Sequence, residues 1–305
     1  MSDPRIIRAN GADICIETFG DPSDPTVLLI MGSAASMDWW PGEFCQLLAD
    51  ASRYVVRYDH RDTGQSTTYE PGKPGYSGSD LIRDAVGILD GLQVERAHLV
   101  GMSMGGGIAQ QIVFEHPERV LSLTLIATSP VSTEEDGDRL PSMAPELQEL
   151  FAHPAPEPDW SDRAEVVDHT FAGTFPLQGS VRVEETELRT LIERVYDRTK
   201  NMASTMTNHW ILEDDDITRS LADLEAPTLV LHGTEDPLLP FEHGEALAEG
   251  IPDARLVAMP GVGHGELPRA IWHLVVPAIV DITSNLSMQP RETSSKTSLS
   301  PTEPC

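Results

Sequence analysis

The chain has 305 residues, 40% hydrophobic and 23% charged, proportions at which a soluble chain can bury enough apolar surface to fold. Its 49 acids against 21 bases leave a formal charge of -28, which repels nucleic-acid phosphates and anionic lipid head groups and favours neutral or cationic partners. Cys15, Cys45 and Cys305 show neither metal-ligand spacing nor the density of a disulfide framework, Met1 to Arg8 is polar, and no run reaches membrane-span length; the expectation is a cytoplasmic protein without nucleic-acid or membrane partners.

In chain order, Arg5 to Phe19 reads as an antiparallel pair. Thr26-Val-Leu-Leu-Ile-Met31 and Tyr54-Val-Val-Arg-Tyr-Asp59 are short, nearly continuous apolar runs, the pattern of parallel strands covered on both faces. The amphipathic stretch Gly42 to Ala51 lies between them. A helix over Asp80 to Gln93, a strand at His98-Leu-Val-Gly-Met102, a helix over Gly105 to His116 and a strand at Leu123-Thr-Leu-Ile-Ala-Thr128 continue the alternation. It stops after Ser129 and resumes near Pro227 with Thr228-Leu-Val-Leu-His-Gly233, a helix over Phe241 to Glu249, the strand Arg255-Leu-Val-Ala-Met-Pro260 and a last helix over Glu266 to Thr283. The sum predicts a doubly wound, mostly parallel α/β sheet built from residues 1–129 and 223–283. Residues 130–222 carry helical patterns, best at Glu146 to Ala152 and Glu184 to Lys200, and no strand; the segment is too long for a plain loop and is expected to be a helical cap over the carboxyl edge of the sheet, a second independent domain being the alternative. Residues 284–305, rich in Ser, Thr and Pro, have little to bury and are expected to be disordered.

Gly101-Met-Ser103-Met-Gly105 joins the strand ending at Met102 to the following helix. That strand-turn-helix setting lifts a serine hydroxyl clear of a sheet, and the glycines remove side chains that would collide in the turn. A serine needs a neighbouring imidazole to take its proton, and the partners are expected in the order serine, acid, histidine, each after a late strand. Of ten histidines, His264 follows the last strand in Pro260-Gly-Val-Gly-His264-Gly; His60 also follows a strand but precedes the serine. Asp236, in His232-Gly-Thr-Glu-Asp236-Pro, is the candidate acid, with Glu235 its local competitor. An oxyanion formed on attack needs donors: the backbone N–H of Met104 is one, and the N–H of Ser33, in the small-residue loop Met31-Gly32-Ser33-Ala34, is the other, with Gly32 as the alternative. Trp39, Trp40, Phe171, Phe175 and Trp210 are candidates for an apolar substrate pocket, the alternative being plain core filling.

Met31-Gly-Ser-Ala-Ala-Ser-Met-Asp-Trp-Trp40, Arg57-Tyr-Asp-His-Arg-Asp-Thr-Gly-Gln-Ser66 and Gly101-Met-Ser-Met-Gly105 resemble the α/β-hydrolase branch that contains aclacinomycin methylesterase, over roughly residues 1–130 and 222–270. The resemblance implies an α/β-hydrolase fold with an inserted helical cap and a serine esterase that uses Ser103, His264 and Asp236, needs no cofactor and no metal, and acts on a small hydrophobic ester such as the methyl ester of a polyketide. Met31 departs from it, since many members have a histidine there. A lactonase or cofactor-free perhydrolase working with the same residues, or a homologue that binds ligand without turnover, are the competing expectations.

Overall fold

The computed structural model describes residues 3–131, 140–213 and 219–284. The chain opens with β1 (Arg5–Ala9) and β2 (Ala12–Phe19), paired antiparallel through Asn10-Gly11, both at positive φ as a tight hairpin turn requires. The alternating segments that follow are β3 (Thr26–Ile30), α1 (Gly42–Asp50), β4 (Tyr54–Tyr58), α2 (Gly78–Gly91), β5 (Ala97–Met102), α3 (Met104–Glu115) and β6 (Val120–Ile126). One eight-stranded sheet results, in the order β1-β2-β4-β3-β5-β6-β7-β8, where β7 is Thr228–Gly233 and β8 is Arg255–Met259. β2 runs antiparallel to β4, and from β4 to β8 all pairs are parallel.

Every residue of β3, β5 and β7 is buried, which is why these strands read as nearly continuous apolar runs. One face of the sheet packs Phe44 and Leu48 of α1 with Trp272, Val275 and Ile279 of the C-terminal helix. The other packs Leu81, Ala85 and Ile88 of α2, Ile108 and Ile112 of α3, and Leu247 from the helix between β7 and β8. From β3 the chain moves outward to β4 and then returns to place β5 on the opposite side of β3. The loops leaving the carboxyl ends of β3 and β5 therefore diverge and leave a crevice between them, the usual ligand position in such sheets.

Between β6 and β7 the described residues form α4 (Pro145–Ala152), α5 (Arg163–Thr174), α6 (Glu185–Arg198) and α7 (Met202–Asn208). The sequence pattern indicates α4 and α6 but not the other two: α5 is rich in β-branched and polar residues and buries only Val166, Val167 and Thr170, so its apolar stripe is faint. Its start is set by Asp162, whose carboxylate accepts the Ala164 and Glu165 N–H groups. After β7 come α8 (Glu242–Gly250) and, beyond β8, α9 (Trp272–Ser284). The last helix starts later than the Glu266 expected, because Pro268 leads into a single 3-10 turn, Arg269–Ile271, before α9 begins. The 284–305 tail, apart from Ser284 at the end of α9, lies outside the described residues.

Candidate active site

Ser103 occupies the turn between β5 and α3 at φ 52° and ψ -122°, a conformation that costs a non-glycine residue on the order of 1–3 kcal/mol. Backbone hydrogen bonds hold it there. Its N–H bonds to Ile126 O of the neighbouring strand (3.0 Å), and its carbonyl accepts from Gly106 N (2.8 Å) and Thr128 Oγ1 (2.7 Å). The glycines on either side are needed for close approach: a Cβ on Gly101 would overlap the Gly105 carbonyl, and one on Gly105 would overlap the carbonyls of Ile30 and Met31.

His264 Nε2 is 3.0 Å from Ser103 Oγ, and His264 Nδ1 is 2.9 Å from Asp236 Oδ2. The three residues follow β5, β7 and β8, whose parallel carboxyl ends lie on one edge of the sheet. Asp236 is buried, and its Oδ1 accepts the N–H groups of Leu238 (2.9 Å) and Leu239 (2.8 Å). Burial alone would raise its pKa, but the hydrogen bonds from His264 and the backbone outweigh it and hold the carboxyl below the ordinary range. Glu235, the neighbouring acid, points elsewhere, to the N–H and hydroxyl of Ser180 (2.7 and 2.9 Å). The loop carrying His264 is buttressed from the inserted segment: His264 N donates to Leu177 O (2.7 Å) and Val181 N to Gly261 O (2.8 Å). Cβ atoms on Gly179 or Gly263 would overlap the facing backbone, so the two glycines let these stretches lie in contact.

The loop Met31 to Ala34 lies against the serine, and a Cβ on Gly32 would come 3.2 Å from that of Ser103. Among the described residues neither the Ser33 nor the Met104 N–H meets a protein acceptor. Ser33 and Met104 also border a cavity of about 320 Å³, whose wall includes Leu81, Ile82, Ile108, Gln111, Val131 and Leu212. The five aromatic candidates do not gather around it. Trp210 lines it, 62% exposed; Trp40 is buried against Phe44, which in turn packs on Trp272, and Trp39 belongs to the same core. Phe171 and Phe175 stack on each other, with Arg189 and Arg182 over their outer faces. The aromatic residues of this chain are used mostly for packing.

Composition gave no sign of the charged cluster behind the site. Asp59 is fully buried and accepts both terminal nitrogens of Arg198 (2.7 and 2.6 Å) together with Met37 N and Gln65 N. Arg198 Nε also bonds to Asp38 (2.6 Å). Asp62, at φ +64°, collects Tyr69 N, Tyr76 Oη and Asn208 Nδ2. The segment Arg57 to Ser66 thus supplies two buried acids, Asp59 and Asp62, that tie α6 and α7 to the sheet; two aspartates directly after an apolar strand were the available signal. Among the described residues no group of three or more His, Cys, Asp or Glu is placed to hold a metal ion, and no helix is long and apolar enough to cross a membrane. Cys15 and Cys45 are buried thiols pushed up to about 12 by burial, far from the thiolate form.

An eight-stranded, mostly parallel sheet whose first two strands run antiparallel, with a serine on a strained strand-to-helix turn and a histidine and an acid after its last strands, defines an α/β-hydrolase. The chain belongs to the α/β-hydrolase fold family, which it matches over residues 25–266. It is 32% identical to the rhodomycin D methylesterase DauP of Streptomyces sp. (strain C5) over 289 residues, 90% of this chain and 96% of that protein. The rhodomycin D methylesterase DnrP of Streptomyces peucetius matches with the same identity and coverage. The crystal structure of the esterase RhEst1 from Rhodococcus sp. ECU1013 superposes with a TM-score of 0.73 over 93% of this chain and all of that one, at 20% identity, a likeness of fold.

Proposed function

We propose that the protein is a serine hydrolase that cleaves carboxylic esters through an acyl-enzyme. The reading rests on the continuous hydrogen-bonded chain from Ser103 Oγ through His264 to Asp236. Ser103 Oγ attacks the ester carbonyl carbon while its proton passes to His264 Nε2, and the electron pair of the C=O bond moves to oxygen. The Ser33 and Met104 N–H groups, which meet no protein acceptor among the described residues, receive that oxyanion. Collapse breaks the bond to the alcohol, which leaves with the proton from His264; water then repeats the cycle and releases the acid. Asp236 keeps the imidazole in the tautomer with Nδ1 protonated and stabilises the imidazolium. Residues 130–222 act as a cap over this edge, and 1–129 with 223–283 as the catalytic core.

The substrate class we infer is a hydrophobic small molecule carrying a methyl or similar small ester, a polyketide among them. Two methylesterase relatives aligned over nearly their whole length support it, as does a cavity beside Ser33 and Met104, of the size small-molecule sites have, whose mixed wall sets Leu81, Ile82, Ile108 and Leu212 beside Gln111 and His209. The test is labelling by a fluorophosphonate probe together with turnover of a panel of methyl, aryl and lactone substrates. Wild-type protein should label and Ser103→Ala should not, with kcat falling at least about 10⁴-fold; unlabelled native protein that cleaves no ester on the panel would refute the proposal.

A further inference from the structure

His60 and His209 grip the two ends of the loop that faces Ser103. His60 Nε2 lies 2.9 Å from Met31 O, and His209 Nδ1 lies 2.9 Å from Ala34 N. A carbonyl can only accept and an amide N–H can only donate, so the tautomers are fixed: His60 carries its proton on Nε2, and His209 accepts at Nδ1 while its Nε2–H donates to Arg61 O (2.8 Å). Both rings are buried and meet edge to face at 5.8 Å. The peptide Met31–Gly32 is held by the first ring and the peptide Ser33–Ala34 by the second. The peptide between them, Gly32–Ser33, has an N–H that meets no protein acceptor among the described residues. Ala34 sits at φ +57°, a conformation that an alanine keeps only when its surroundings impose it.

We propose that His60 and His209 are positioning residues that aim the Ser33 N–H at the oxyanion, and that the inserted segment, through His209, thereby completes the catalytic machinery of the sheet. The proposal rests on the esterase reading above, in which Ser33 is an oxyanion donor. An oxyanion donor acts mainly in the transition state, so releasing its loop should lower kcat and leave KM nearly unchanged.

Paired substitutions separate this role from plain packing. The Asn amide oxygen can stand where His Nδ1 stands, and the Gln amide nitrogen can stand where His Nε2 stands. At position 209 the loop is held through Nδ1, so His209→Gln should lose on the order of 10- to 100-fold in kcat, while His209→Asn should recover most of that loss. At position 60 the loop is held through Nε2, so the order reverses: His60→Asn loses kcat and His60→Gln recovers it. The measurements are kcat and KM on a p-nitrophenyl ester and the thermal midpoint of each variant, with fluorophosphonate labelling of Ser103 in the wild type as the control. The crossed pattern in kcat, with KM within about threefold and without a matching pattern in midpoint, supports the clamp. Equal losses for Asn and Gln at both positions, losses confined to KM, or kcat that merely follows the thermal midpoint overturn it while the esterase reading stands. A wild type that neither labels nor turns over an ester removes the reading and the clamp together.

Discussion

Glu266, two residues beyond His264, has a carboxyl oxygen, Oε2, that is buried without a hydrogen-bond partner among the described residues. Burial, helped by the nearby charge of Glu187 and opposed by Arg194 and Arg269, pushes its pKa up to about 7. Because the folded value lies above the ordinary 4.5, the folded protein binds the extra proton between those limits; the associated stability is complete below about 4.5 and is lost as pH rises through about 7. Glu266→Gln should therefore raise the thermal midpoint by a few degrees at pH 8 and leave it nearly unchanged at pH 4. A difference from wild type that is the same at both pH values would show that this carboxyl does not change charge on that interval. Asp236, also buried, goes the other way because three donors converge on it.

At the scale of elements, α6 is fastened to the sheet through Arg198 and the buried Asp59. Removing the guanidinium strands a carboxylate in the interior, so Arg198→Leu should cost about 3–5 kcal/mol in urea denaturation, and adding Asp59→Asn should return part of it. A loss below about 1 kcal/mol would mean that water or the remaining donors satisfy Asp59. This fastening was hidden in the sequence because its partners are 139 positions apart, and charge pairing at that distance leaves no local pattern. The alternation of strand and helix was legible for the opposite reason: strands buried on both faces have to be mostly apolar, as β3, β5 and β7 are. Ser103, Asp236 and His264 could be picked out by their places after β5, β7 and β8, since parallel strands deliver their following loops to a common edge. The role of aromatic residues could not be read the same way; Trp40 has the same composition signal whether it packs on Phe44 or lines a cleft.

For the whole molecule, the interior stores histidines in neutral form. Burial brings His60 down to about 3 and His98 to about 4, and it lowers His209 and His232 as well. The unfolded chain takes up protons on these rings near the ordinary 6.5 whereas the folded chain does not, so their stability contribution is complete above 6.5 and drains away as pH falls towards the folded values. The thermal midpoint should drop steeply between about pH 6.5 and 4, and a midpoint constant over that interval would contradict the buried neutral rings. The excess of acids softens self-repulsion in the same interval as carboxylates begin to protonate, so a fall there is attributable to the imidazoles rather than to net charge.

The pairing of β6 with β7 sets Ile126 opposite Leu231, on either side of the inserted helices. The halves of the sheet can join only after the chain has completed an excursion of about a hundred residues, yet the entropy of closing a flexible loop grows with the logarithm of its length. Doubling the excursion would add only about 0.6 kcal/mol to that closure. Long-range parallel pairing is slow to form, so enlarging the insertion should be felt in the time the chain takes to assemble far more than in the equilibrium that keeps it assembled.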